Sequence, residues 1–255
     1  MHNIELRIDG TPHRQEGIAA MALYRDDGRL CELDIQYSLL RDLRNAESVS
    51  LDFVLLASAV YALDKSVLRE SETDGWAREF ALSMPVSDPK RWKDAAPALT
   101  EAVNFLTGDR WEFHFTHRAG SIVFAKRGVR RRHRSALVAI QPTDSVSLFS
   151  GGIDSLAGAI DHLAGDASKL LLIGHHDGDM AGPFADQRAL IEPLRSAYPN
   201  RLHSIFLRVG QSPSGSEITL RSRSLLFIAL GMYGASAIGP NVRLLMPENG
   251  TIALN

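Results

Sequence analysis

Cysteine is nearly absent. Cys31 stands alone in 255 residues, so neither an intrachain disulfide nor a cysteine-rich zinc site can form, which fits a reducing compartment. A charge of one sign is lacking as well. The 28 Lys and Arg nearly balance the 30 Asp and Glu, for a formal net charge of −2, and this excludes a global pull toward nucleic acid or an anionic membrane. Long hydrophobic runs are missing too. The longest, Leu225 to Gly239, is broken by Gly231, Gly234 and Ser236; it is too short for a membrane span and reads as a buried core helix. Met1 to Gly10 holds no signal-peptide core, so the expected location is cytoplasmic, with no membrane partner. There is no fixed-period repeat, no low-complexity segment and no GK[ST] anywhere. The last absence excludes the common phosphate loop, whose lysine reaches the β- and γ-phosphates.

What is present divides at a change of character. The first 125 or so residues mix element types. Cys31 to Tyr37 alternates like a half-buried strand. Leu51 to Val67 is apolar at helical spacing, with Asp52 and Asp64 left to face water. Trp76 to Val86 reads as a strand closed by Ser87, Asp88 and Pro89. A helix is expected from Pro97 to Thr107, stopped by Gly108, and then a strand whose Trp111, Phe113 and Phe115 point into the core. This is an α+β layer. Lys126 to Arg134 carries six Lys or Arg in nine positions. It reads as a solvated edge and linker, or as a phosphate-facing patch for a nucleotide or nucleic acid. Ala139 to Ser145 resembles a hinge. The expected domains are therefore 1–138, α+β, and 139–255, α/β.

In the second domain strands alternate with helices, which argues a parallel α/β sheet. Candidate strands are Ser145 to Phe149, Leu170 to Ile173, Ser204 to Val209 and Val242 to Leu245, with helices at Ser155 to Leu163 and Arg223 to Ala235. Between the first strand and the first helix stands Ser150-Gly151-Gly152-Ile153-Asp154-Ser155. Two glycines allow positive φ and close approach of a ligand to the backbone. The turn amides and the exposed N–H groups of the next helix make an anion site. The hydroxyls of Ser150 and Ser155 can donate to phosphate oxygens. Asp154 does not welcome a bare phosphate, so it implies Mg²⁺ or a capping role.

These residues resemble the pyrophosphate loop of the adenylating N-type (PP-loop, HUP-like) ATP pyrophosphatases. Together with "LIGHHDGD", "SEITLRSRSLLFIALGMYGASAIG" and "MPENGTIALN", they are similar to QueC-like proteins, relatives of 7-cyano-7-deazaguanine synthase. "DGWAREFALSMPVSDPKRW" and "FLTGDRWEFHF" resemble the added domain of the subgroup found in the Qat anti-phage defence system. The resemblance implies ATP and Mg²⁺ as cofactors, release of AMP and pyrophosphate, and activation of a 7-deazaguanine carboxylate for transfer to an amine, with a protein partner from the defence system as acceptor. It places pyrophosphate on Ser150, Gly151, Gly152, Asp154 and Ser155, adenine beside Gly174 and His175, phosphate or acyl-adenylate on Arg223, and the substrate near Glu248 and Asn249. Asp154 and Arg223 are the expected catalytic pair. Zn²⁺ is expected in the QueC relatives, but no ligand cluster for it is seen in this sequence. By that comparison the pyrophosphatase domain, some 110 residues long here, reads as truncated. Other outcomes of the same resemblance are 7-cyano-7-deazaguanine synthesis, another amidotransferase or tRNA-modifying activity, or a non-catalytic nucleotide-binding subunit.

Overall fold

A computed structural model describes residues 1–12, 19–35, 48–119, 143–165, 167–177 and 181–248. The basic run Lys126 to Arg134, the expected 138/139 boundary and Asn249 lie outside these residues. The chain forms two compact units. One comprises Met1–Tyr37, Leu51–Arg127 and Gly210–Leu226, the other Ser38–Ser50, Gly128–Val209 and Phe227–Asn255.

The first unit holds β1 (His2–Pro12), β2 (Ala19–Arg25), β3 (Gly28–Ile35), α1 (Ser48–Ser66), β4 (Glu79–Val86), α2 (Pro89–Thr107) and β5 (Arg110–His117). The strands lie in the order β5-β4-β1-β2-β3. β4 is parallel to β1 and to β5, while the β1-β2 and β2-β3 pairs are antiparallel. The N-terminal stretch, for which no element is expected above, is a strand whose Ile4 and Leu6 alternate into the core. The apolar faces of β5 do what their alternation predicts: Trp111, Phe113 and Phe115 are buried and stack in sequence.

Two expectations here need correction. α1 buries both acids expected to face water; Asp52 and Asp64 are fully enclosed. Each is paid for by dedicated partners, as a buried charge requires. Asp52 accepts from the Ser87 N–H and hydroxyl and from Arg118. Asp64 accepts from Arg78, Arg69 and the Ser222 N–H and hydroxyl. Helical period alone cannot distinguish a solvated acid from one with partners distant in sequence. The helix expected at Pro97 starts instead at Pro89. Asp88 caps it by accepting from the Arg91 N–H, and Pro89 occupies the first turn, where its missing N–H costs nothing. Pro97 lies inside the helix. Gly108 ends it as expected, at φ +74°.

The second unit is built from β6 (Ser145–Leu148), α3 (Ile153–Gly165), β7 (Leu170–His176), α4 (Ala181–Ala197), β8 (Leu202–Ser212), α5 (Arg223–Ile238) and β9 (Arg243–Leu245), with β8 and α5 each running across the division between the units. The order is β8-β7-β6-β9, and every pair is parallel. β7 is buried on both faces, as its continuous apolar run predicts. Leu170 and Leu172 pack with Ala159 and Leu163 of α3 and Ile191 and Leu194 of α4. Leu171 and Ile173 meet α5 instead, at Gly234, where a Cβ would come within 2.2 Å of Ile173 Cδ1. Gly231 gives the same close approach to Leu148 and Leu244. Helices therefore cover both faces of a doubly wound sheet.

Candidate functional site

From β6 the chain steps outward to β7 and β8, then crosses back over β6 to β9. The order reverses at β6. In open parallel sheets, ligands bind beyond the carboxyl ends of the strands at such a reversal. Ser150 to Ser155 occupies that place, directly after β6 and into the first turn of α3.

The loop is shaped from within. Gly151 has φ +87°, a backbone region that favours glycine. Ser150 Oγ lies 3.2 Å from Ser155 Oγ and accepts from the Gly152 N–H at 3.3 Å. Ser155 Oγ donates to the Gly152 carbonyl at 2.8 Å, and the Leu156 N–H joins it there at 3.1 Å. Gly152 is thus the N-cap of α3, its carbonyl taking the first helical bond. The hydroxyls expected to meet phosphate are engaged with each other and with the loop, and their first task is to fix its shape. The amides at the start of α3 have no acceptor within the helix, and the macrodipole favours an anion in front of them. Asp154 stands in this first turn, half-buried. A first-turn acid of this kind fits a Mg²⁺ ion, which takes one or two carboxylates and shares the rest of its shell with phosphates.

The remaining predicted residues fall in different settings. Gly174 and His175 lie on β7 at its carboxyl end. A Cβ on Gly174 would stand 2.4 Å from Phe206 Cδ1 and 2.9 Å from the Phe149 carbonyl oxygen. The glycine therefore makes room for the Phe206 ring. The His175 ring is fully buried, with Nε2 2.9 Å from the Val209 carbonyl and its edge toward Phe227. His176 stacks on Phe184 with centroids 4.1 Å apart; burial first and the Arg208 charge second lower its pKa. Glu248 is exposed. It follows Pro247, which packs against Gly158, one turn beyond Asp154 on the same side of α3. Arg223 opens α5, half-buried, and is grouped with the other unit.

One residue of the site escaped the sequence reading. Gln187 of α4 is fully buried under the loop. Its Nε2 donates to the carbonyls of Phe149, Ser150 and His175 at 3.1, 3.3 and 3.2 Å. A Cβ on Gly151 would come within 3.1 Å of its Cγ. Nothing in "ADQRALIEP" distinguishes this glutamine from a solvated one, because its partners lie 12 to 38 positions away. A cavity of about 360 Å³ runs along α4 and β8, lined by Phe184, Arg188, Ile191 and Phe206 among others, and takes in none of the loop residues. No protein-family model, no curated protein and no solved structure matches the chain.

Proposed function

We propose that this chain is an ATP-dependent adenylating enzyme of the QueC-like, PP-loop type, acting in anti-phage defence. It activates a 7-deazaguanine carboxylate and passes the acyl group to an amine on a partner protein. The observation that carries the nucleotide part is the position of Ser150 to Ser155: a glycine turn opening a 13-residue helix where a doubly wound parallel sheet reverses its order. The base and the acceptor rest on the resemblance of the sequence.

In this reading the β- and γ-phosphates of ATP lie against the amides of Gly151 to Ser155. A carboxylate oxygen of the deazaguanine attacks the α-phosphorus, the bond to the bridging oxygen breaks, and pyrophosphate departs. Amides already aimed at the departing charge stabilise it without reorganisation. The acceptor amine then attacks the acyl carbon, loses a proton and displaces AMP. Asp154 would hold a Mg²⁺ ion, whose chemistry there would be to shield the charge of the phosphates. Glu248 is assigned to the base, and acceptor docking to residues 1–138. The part given to Arg223 derives from the resemblance alone.

The test is product analysis with ATP labelled at the α-phosphate, Mg²⁺, 7-carboxy-7-deazaguanine and the candidate partner. AMP and pyrophosphate are expected, and Asp154→Ala is expected to abolish their formation with the far-UV circular dichroism unchanged. ADP and phosphate, or an Asp154→Ala variant turning over at the wild-type rate, would overturn the assignment. Binding of ATP with no pyrophosphate released would leave a nucleotide-binding subunit.

A further inference from the structure

The carboxyl end of a parallel sheet is a poor place for an anion unless its carbonyls are dealt with. At the end of each strand, backbone oxygens carrying partial negative charge point out of the ladder with no further strand residue to receive. Three such oxygens lie at the cleft of this sheet: those of Phe149 and Ser150 after β6 and that of His175 on β7. One side-chain amide gathers all three, since Gln187 Nε2 lies within 3.3 Å of each. The orientation of that amide follows from its neighbours. A carbonyl cannot donate, so rotating the group would bring Oε1 against three acceptors.

We propose that Gln187 is a positioning residue that makes the cleft anion-selective: it draws the strand-end carbonyls of Phe149, Ser150 and His175 onto its amide and leaves the loop to present N–H groups. The inference rests on the reading of Ser150 to Ser155 as a pyrophosphate loop. Two further facts support it. Gln187 packs against Gly151, the residue at φ +87°, with its own backbone nitrogen 3.2 Å from where a Cβ would be, so loop shape and carbonyl capture are joined in one side chain. Its Oε1 is also buried, and among the described residues it meets no hydrogen-bond partner. A buried acceptor without a donor is a cost that an apolar side chain of the same length would avoid. The donor end therefore has a use that packing alone does not supply.

The measurement is calorimetric titration of the full chain with inorganic pyrophosphate and Mg²⁺, for wild type, Gln187→Met and Gln187→Glu, with circular dichroism and thermal midpoints recorded alongside. Met keeps the length and removes the donors; Glu keeps the shape and adds negative charge. Weakening by about tenfold or more is expected for Met, the factor that ~1.4 kcal/mol produces, and a clearly larger loss for Glu. A structural role alone would weaken both alike. Pyrophosphate bound by Gln187→Met as tightly as by wild type, or equally weak binding by both variants, overturns the inference and leaves the loop reading standing. If Gln187→Glu does not fold, the Met variant decides by itself. A wild-type chain that binds no pyrophosphate removes the loop reading, and this inference with it.

Discussion

Arg78 and the loop from Ser150 to Ser155 treat their polar groups in opposite ways. All five N–H bonds of the Arg78 guanidinium have acceptors inside the protein: Nε on Asp109, Nη1 on the carbonyls of Asp64 and Val67, and Nη2 on Asp64 and Asp109. Arg69 adds bonds to the same two carboxylates. Burial pulls the Arg78 pKa down, but its bonds to Asp109 and Asp64 and their charges outweigh burial and hold it above the ordinary value. In the loop it is the acceptors that are satisfied. Phe149 and Ser150 give their carbonyls to Gln187, and Gly152 gives its own to Leu156 and Ser155, while the first amides of α3 have no acceptor within their helix. A network closed on both sides holds a fold together. On the proposed reading, the loop instead turns the amides of the first helical turn toward a ligand.

The difference is broken most strongly at the closed end. Arg78→Met removes the shared cation and leaves Asp64 and Asp109 facing each other with only Arg69 between them. Removing one partner of a buried ionic group costs about 3–5 kcal/mol, a large part of the stability of an ordinary domain. Urea denaturation of the full chain should show a midpoint lowered to match, or a chain that does not fold. A loss below 1 kcal/mol would mean that the network is weaker than its geometry indicates.

Gly151→Ala tests the loop at its shape. A Cβ there meets Gln187 at 3.1 and 3.2 Å and requires an alanine at φ +87°. Strain of this kind costs about 1–3 kcal/mol. If the loop holds pyrophosphate as proposed, binding should fall further than stability does, because the strained residue lies within that loop. Titration and thermal melts on the same preparation separate the two effects. Equal losses would make Gly151 a purely structural turn.

The comparison also marks what a sequence can carry. The turn between β6 and α3 is legible as a turn because its residues are contiguous: six neighbours between an apolar strand and an apolar helix, read from local rules. β7 and the aromatic alternation of Trp111, Phe113 and Phe115 were legible for the same reason. The network around Arg78 was not, because its members come from positions 64, 69, 78, 109 and 222. Each looks like an ordinary surface polar residue in its own neighbourhood, and the expectation that Asp64 faces water rests on that ground. Gln187 was hidden in the same way. Polar residues whose partners are made by the fold have no local pattern, whereas the helix start at Asp88 and Pro89 has one in the sequence.

The smallest expected effect is at Ser150, and it sharpens the contrast from the other side. Ser150 is exposed, and Ser150→Ala removes two long contacts, Oγ to Ser155 at 3.2 Å and to the Gly152 N–H at 3.3 Å. Water can replace both, so the stability loss should be no more than about 0.5–1 kcal/mol, the net worth of an ordinary hydrogen bond. Denaturation should barely distinguish the variant from wild type. Binding need not follow stability, since the Gly152 N–H released by the substitution sits at the start of α3, among the amides assigned to phosphate. If the hydroxyl only shapes the loop, pyrophosphate affinity changes by less than about threefold, in step with the loss of stability. If Ser150 turns to donate to the ligand, affinity falls by about tenfold, the effect of losing a hydrogen bond to a charged group. The ratio of the two losses assigns Ser150 to the scaffold or to the contact surface, and a stability loss approaching that of Arg78→Met would erase the distinction between the two regions.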